Sequence, residues 1–241
     1  MPIRLVSLNV NHRTHARVIR PGLAPAFHAL RPDVLVLNEY VEGRGRPEFH
    51  QALREIGLTH IKMSDTENYS RARWRNQILI ASRSHIEDRP LLDHGPEACC
   101  SPNFLSVHTF GFDLTGLRVP AYTTARDWYG YWEWLTSVIG GDVAIGDFNV
   151  DPRRTRKWDR VLPSLADAHG FKIVTPENSW SFRHSRGAEH QIDHALVRHP
   201  ARATSARYEA DRFVPEFTDH AALIVELERL PGDEANACAA C

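Results

Sequence analysis

Lysine is scarce in this chain: Lys62, Lys157 and Lys172 are the only ones among 29 basic side chains. Positive charge therefore rests on arginine, a bias that a GC-rich genome produces without any selection for phosphate contacts. A basic excess is missing too. The 30 acidic residues bring the formal charge to −1, so no global field advertises a polyanionic partner and any affinity for phosphate has to be local. Cysteine is sparse: Cys99 and Cys100 are adjacent, and Cys238 and Cys241 form a CxxC in a small, polar tail, which gives no disulfide framework. The final CAAC has the outline of a prenylation box, but Cys is an unusual last residue and a frayed tail is the simpler reading. No apolar run approaches the roughly 20 residues that cross a bilayer, and MPIRLVSLNV lacks the basic and long apolar regions of a signal peptide. A cytoplasmic protein with no membrane partner is expected.

What is present is a chain of 241 residues with ordinary apolar content, enough to bury one large core. A single domain over residues 1–230 is expected, followed by a tail, 231–241, whose small and acidic residues predict disorder. Short apolar runs predict strands at 3–10, 34–37, 78–81, 104–109, 117–122, 143–145, 192–197 and 221–227. Between them Leu23, Ala26, Phe27 and Leu30 recur at helical spacing, as do Phe49, Ala52, Leu53 and Ile56 ahead of Gly57, a good helix stop. Further helices are expected over 128–139 and 155–165. The first carries Trp128, Tyr131, Trp132, Trp134 and Leu135, a core cluster with some rings free to line a groove. Strands alternating with helices predict a layered α/β fold.

Four of these strands carry, at an end, residues that a buried core excludes. Residues 3–8 run into Asn9 and Asn11, 34–37 into Asn38 and Glu39, 143–145 into GDFN with Asp147 and Asn149, and the 192–197 strand carries Asp193 beside His194. Each alone reads at least as well as a turn or cap residue. Together with the distant TDH at Thr218, Asp219 and His220, they predict a cleft lined by carboxylates and amides at one edge of the sheets. Asp147 can hold or deprotonate a water there, and the neutral amide of Asn149 can donate to a phosphoryl oxygen without repelling it. Glu39 and Asp219 offer hard anionic oxygens, with an Asn carbonyl to complete the shell, a set that suits Mg²⁺ or Mn²⁺. Asp193 and His220 can form a carboxylate–imidazole pair, and Tyr122 offers a phenol at the end of its strand. HQIDH places His190 and His194 four apart, as in a zinc-protease helix, but Gln191 stands where the Glu is needed and the apolar alternation is that of a strand.

With those residues assembled, the chain resembles the endonuclease/exonuclease/phosphatase superfamily, whose motifs it matches in order over about residues 3–227. The resemblance implies a four-layered α/β sandwich, DNase I-like, with two mixed β-sheets face to face and helices outside. SLNVN implies metal and phosphate contacts at Asn9 and Asn11, and VLVLNEY implies a metal-binding Glu39. VPAYTTA puts Tyr122 on the scissile phosphate. GDFNVDP gives Asp147 for the attacking water and Asn149 for the transition state. IDH pairs Asp193 with the catalytic imidazole, and FTDHAAL supplies Asp219 to the metal and His220 to the phosphate. Departures accompany the match: Asn38 replaces the usual Gln, Tyr40 and Val41 stand where abasic endonucleases carry Thr-Lys, VNHR follows Asn9, and Gln77 occupies a position that is usually Gly. The second motif argues against a standard repair endonuclease.

Substrate choice falls to local charge. Arg71, Arg73 and Arg75 surround Trp74; Arg153, Arg154, Arg156 and Lys157 follow GDFN; Arg183 and Arg186 lie near Trp180. Arginines interleaved with tryptophans suit a phosphate backbone and unstacked bases, although each cluster reads equally well as a solvated face. Asn11, Asn76, Arg153, Arg154 and Trp180 are the candidate phosphate and substrate contacts. The leading expectation is a Mg²⁺- or Mn²⁺-dependent phosphodiesterase that cuts nucleic acid, DNA in particular, as a monomer. The alternatives are a hydrolase of a small or lipid-linked phosphoester and a non-catalytic nucleic-acid-binding relative.

Overall fold

The computed structural model describes residues 2–11, 19–41, 45–64, 76–91, 93, 95, 101–121, 124–154, 160–177 and 179–231. The elements run β1 (Ile3–Asn9), α1 (Leu23–Leu30), β2 (Val34–Tyr40), α2 (Arg46–Glu55), β3 (His60–Met63), β4 (Gln77–Ser82), β5 (Glu87–Arg89), β6 (Phe104–Thr109), β7 (Phe112–Arg118), α3 (Ala125–Val138), β8 (Val143–Asp147), α4 (Val161–His169), β9 (Lys172–Val174), β10 (Phe182–Arg183), β11 (Glu189–His190), β12 (Asp193–Val197), β13 (Ala201–Glu209) and β14 (Ala222–Arg229). The strands form two six-stranded sheets, ordered β13-β14-β1-β2-β4-β3 and β5-β6-β7-β8-β12-β9, and a two-stranded one of β10 and β11. Both six-stranded sheets are mixed. β1 is parallel to β2 and antiparallel to β14, while β7 is parallel to β8 and β8 antiparallel to β12.

The central strands are continuous apolar runs because both of their faces are covered. Val6 and Leu8 of β1 pack outward with Leu35, Leu37 and Leu79 against Phe27 of α1 and Leu53 of α2. Leu5, Val34, Val36 and Ile80 face inward and meet Leu114, Val143, Ile145 and Ala195 of the second sheet. Outside that sheet, α3 and α4 lay Trp128, Tyr131, Leu135, Leu162 and Leu165 over Leu117, Ala144 and Leu196. The result is the four-layered sandwich with helices outside. The sheets approach closely at Gly116 of β7, where a Cβ would come within 2.8 Å of Val36 and Ile78 side chains.

Several elements differ from the sequence expectation. The strand expected over 117–122 is β7, Phe112–Arg118. Asp113, Thr115 and Gly116 disguise its start, and Pro120, with no N–H to donate, marks where pairing has ended. The helix expected over 155–165 is α4, Val161–His169, which stops at Gly170 in a left-handed conformation, φ 67°; residues 155–159 lie outside the described residues. β13 was not expected at all. It is an edge strand, exposed or half-buried at every residue but the first and bulged between Ala203 and Ser205, so it carries no alternating apolar signal. The aromatic cluster of α3 is core, as expected, with Trp128, Tyr131, Trp132 and Trp134 all buried.

Far from the polar strand ends, Arg198 ties three segments together. Its Nε donates to Gly141 O at 2.6 Å and its Nη1 to His169 O at 3.1 Å, with the guanidinium 4.7 Å from the Phe171 ring centroid. Arg198→Ala is expected to lower stability by about 2 kcal/mol, from two charge-assisted hydrogen bonds and one stacked contact. Urea unfolding should record that loss while turnover stays unchanged.

Candidate active site

The polar residues at the strand ends converge. In the sheet registers Asn9 lies beside Asn38, Asp147 beside both Arg118 and Asp193, and Gln77 beside Tyr40, which places Asn76 at the same end as Glu39. Asn9, Glu39, Asp147, Asp193 and His220 are all buried, which for this many charged groups requires mutual pairing.

The pairing is dense. Asn9 Nδ2 donates to Asp147 Oδ2 at 2.9 Å and to Glu39 Oε1 at 3.3 Å, so one amide bridges two carboxylates. Asn9 Oδ1 accepts from Asn11 N at 2.8 Å, and Asn11 Nδ2 donates to Asp219 Oδ1 at 2.9 Å. Asp147 Oδ1 accepts from the backbone N–H of Asn149 at 2.9 Å, and the Asn149 amide donates to Val119 O at 2.6 Å and to Asp147 Oδ2 at 3.2 Å. His220 Nδ1 meets Asp193 Oδ2 at 2.9 Å. Thr218 Oγ1 donates to Asn9 O at 2.7 Å and accepts from His220 N at 3.2 Å, fixing the TDH segment against β1.

The backbone bends sharply to present these groups. Asn11, Glu39 and Asn149 all sit in the left-handed region, with φ of 47°, 55° and 52°. For asparagine this is tolerated; for glutamate it is costly and marks a site whose surroundings impose the conformation. The pairing of β2 with β4 is irregular between Leu37 and Tyr40, and this bulge turns Glu39 into the cleft. Gly146 has φ 151° and its missing Cβ leaves room for Leu117 O.

Charge is unevenly distributed. Burial pushes the Asp147 carboxyl up to about 7; the Asp193 and Glu39 carboxylates push the same way, and His220 and Arg118 oppose them. For His220, burial alone would lower the pKa, but the Asp193 carboxylate outweighs it by charge and hydrogen bond and, with Asp147 and Asp219, holds the ring up at about 9. The imidazolium is thus the form present at neutral pH, with its Nδ1–H directed at Asp193 Oδ2. Asp193 is steadied in turn by Tyr208, whose hydroxyl donates to Asp193 O at 2.6 Å.

One participant is absent from the sequence expectation. Arg118 closes β7 and reaches across to β2, with Nη2 2.8 Å from Glu39 Oε1. Its signal was present, a charged residue closing an apolar run, but with the strand phased over 117–122 it read as a strand interior. Tyr122, expected on the phosphate, lies outside the described residues, as do Arg71, Arg73, Trp74, Arg75, Arg156, Lys157, the four cysteines and the CAAC tail.

The remaining candidates form a second group. Asp151 is buried and accepts Arg153 in a fork, Nε at 2.9 Å and Nη2 at 2.7 Å, together with Gln191 N at 3.1 Å. Arg154 Nη2 lies 2.6 Å from His190 Nδ1, and Arg183 sits 4.2 Å over the Trp180 ring. Arg153 is therefore held by Asp151 and Arg154 by His190 of β11, neither by the carboxylate cluster. His194 is buried between Thr175 Oγ1 at 2.6 Å and Val150 O at 2.9 Å, and its burial lowers its pKa. The hairpin of β10 and β11 meets the cluster through Phe182, whose ring centroid is 5.0 Å from that of His220.

Among the described residues, no three His, Cys, Asp or Glu side chains gather into a metal cage. The donor set that is present is two carboxylates, Glu39 and Asp219, linked through Asn9 and Asn11. Oxygen donors with most positions left to water and substrate are the pattern of Mg²⁺ rather than of a cation that needs a closed protein cage. The residues fit that ion.

A sequence profile of the Endonuclease/Exonuclease/phosphatase family matches residues 6–220. No curated protein matches the chain significantly by sequence. Among solved structures, an AP endonuclease from Archaeoglobus fulgidus superposes with a TM-score of 0.69 at 18% identity, covering 92% of this chain and 98% of that one. The 3′ phosphatase NExo from Neisseria, solved as a variant bound to product DNA hairpin, gives 0.66 at 20%, with 94% and 99% covered. An endonuclease/exonuclease/phosphatase from Beutenbergia cavernae gives 0.67 at 17%, with 96% and 72% covered. At these identities the structural likeness is one of fold; the profile match spans most of the chain. The chain belongs to the endonuclease/exonuclease/phosphatase family.

Proposed function

We propose that this protein is a divalent-metal-dependent phosphodiesterase that cleaves nucleic acid, DNA in particular, by in-line attack of water on phosphorus. The observation that carries it is the buried Asp147, locked by Asn9 and Asn149 within reach of a charged His220–Asp193 pair. Glu39 and Asp219 would hold the cation, with Asn9 and Asn11 ordering them. The ion would supply charge neutralisation at the phosphoryl group. Asp147, with its pKa near neutral, takes the proton from the attacking water. His220 stays protonated and donates to a non-bridging oxygen as charge builds there. Both amide hydrogens of Asn149 already have partners in Val119 O and Asp147, so its part is to aim Asp147 rather than to meet the phosphate.

Nucleic-acid cleavage is supported by the family and by Trp180, Arg183, Arg153 and Arg154 gathered around the β10–β11 hairpin, which presents Phe182 to His220. A hydrolase of small phosphoesters is favoured by the commitment of Arg153 and Arg154 to Asp151 and His190. Plasmid DNA, single-stranded and abasic oligonucleotides, RNA and a phosphomonoester panel, each with Mg²⁺ or Mn²⁺, separate the two. Turnover confined to phosphomonoesters selects the second. No helix among the described residues is long and apolar enough to cross a membrane.

The two shifted groups give a pH dependence with a definite sign. Asp147 must be ionised to act as base, and His220 must be protonated to act as donor. The rate is expected to rise through about pH 7 and to fall through about pH 9, with a cation at Glu39 drawing the acidic limb lower. A pH–rate profile of kcat checks this; a rate that keeps climbing past pH 10 would exclude the imidazolium.

A further inference from the structure

Arg118 is fixed by the sheet rather than by chance of side-chain conformation. Its residue lies beside Asp147 in the parallel β7–β8 register, and the next N–H, that of Val119, donates to Asp147 O at 2.8 Å. From there the side chain crosses between the two sheets to place Nη2 2.8 Å from Glu39 Oε1, with the two side chains only 13% and 10% exposed. The guanidinium is incompletely satisfied for such burial. Its Nε is buried without a hydrogen-bond partner, although a guanidinium placed only to neutralise a carboxylate normally spends its planar fork on it. A buried arginine that leaves a donor unused costs stability and is better explained by a second partner.

A divalent cation ligated by Glu39 would lie within a few ångströms of the guanidinium that sits 2.8 Å from Oε1, and this like-charge contact in a buried site disfavours holding both on one carboxylate. We propose that Arg118 is a phosphate-binding residue stored on Glu39: a divalent cation taking Glu39 displaces the guanidinium, which then binds a non-bridging phosphoryl oxygen beside Asp147. This rests on the metal-dependent phosphoesterase function given above. Two consequences have opposite sign. Arg118 weakens cation binding, because the cation has to displace it, and strengthens binding of the phosphate anion, because the displaced guanidinium is its ligand. A residue that merely props the site would weaken both when removed.

The test compares wild type, Arg118→Met and Arg118→Lys, with circular dichroism to check folding. Mn²⁺ affinity is read by paramagnetic resonance, and inorganic phosphate affinity by calorimetry with Mg²⁺ present. Arg118→Met is expected to bind Mn²⁺ on the order of tenfold more tightly and phosphate on the order of tenfold more weakly, about one charge-assisted contact in each direction. Arg118→Lys should fall between, since it keeps the charge and loses the fork. Unchanged or weaker Mn²⁺ binding in a folded Arg118→Met, or unchanged phosphate binding, overturns the proposal while leaving the metal site standing. Absence of Mn²⁺ binding by wild type overturns both. If Arg118→Met does not fold, nitrogen NMR of wild type decides: the Arg118 Nε signal is expected to shift on Mg²⁺ addition, and an unmoved signal at saturating Mg²⁺ refutes the displacement.

Discussion

Asp147→Asn is expected to lower turnover by roughly 10² to 10⁴ while leaving the fold as stable as wild type or more so. The two halves of that expectation have one cause. The fold places Asp147 where its charge is disfavoured, since burial and the carboxylates of Asp193 and Glu39 raise its pKa to about 7. Such a group is poised to accept a proton at neutral pH and is a burden to the native state when ionised. An isosteric amide removes the base and the burden together. It also removes one acceptor: Asp147 Oδ2 takes Asn9 and Asn149 amides, and only one carbonyl oxygen remains to serve the donors on both sides. These effects oppose, with the relieved burden at least matching the lost acceptor, so the unfolding free energy should equal that of wild type or exceed it by up to about 1 kcal/mol. Denaturation curves alongside kcat separate a chemical defect from a structural one. Wild-type turnover in a folded Asp147→Asn protein would dismiss Asp147 as the base.

Among the glycines with a described environment, Gly146→Ala is expected to be the most damaging change to alanine. At φ 151° a Cβ would sit 1.8 Å from Leu117 O and 2.9 Å from Asn38 Oδ1. The first of these atoms is backbone in the neighbouring strand β7, so relief requires prying β7 from β8 at the register pair Leu117–Gly146. Both the strained backbone and the collision act, and a loss of more than about 4 kcal/mol is expected, in the range where a marginally stable domain no longer folds. Gly130→Ala in α3 is the control, because a Cβ there meets nothing within 4 Å; it should be neutral or stabilise by up to about 1 kcal/mol. Soluble expression and urea unfolding of the two variants check the contrast. A Gly146→Ala protein as stable as wild type would mean that the GDFN turn adopts another conformation.

The glycine of GDFN thus has a steric role and the aspartate a chemical one, and only the second was legible in the sequence. Asn9, Glu39, Asp147 and Asp193 stood out because a polar residue at the end of an apolar run contradicts burial unless it has a partner. His220 stood out through its motif companions. Arg118 escaped because the strand was phased several residues late, with Gly116 and two polar residues hiding the true start of β7. The left-handed backbone of Glu39 has no local signal, since glutamate does not favour it; tertiary packing imposes it. The partners of Arg153 and Arg154 were equally hidden, because a basic run after a catalytic loop reads the same whether it faces solvent, phosphate or, as with Arg153, a buried carboxylate two residues away. The layers of the fold were legible for the central strands, which are apolar on both faces, and illegible for β13, which is an edge.

The converging strand ends are expected to hydrolyse phosphodiesters with a bound divalent cation. End-labelled duplex DNA incubated with wild-type protein tests this expectation most directly, first with Mg²⁺ or Mn²⁺, then after chelation with EDTA, then with the cation restored. Cleavage that disappears on chelation and returns with the cation is the predicted result. Cleavage undiminished by EDTA would contradict it.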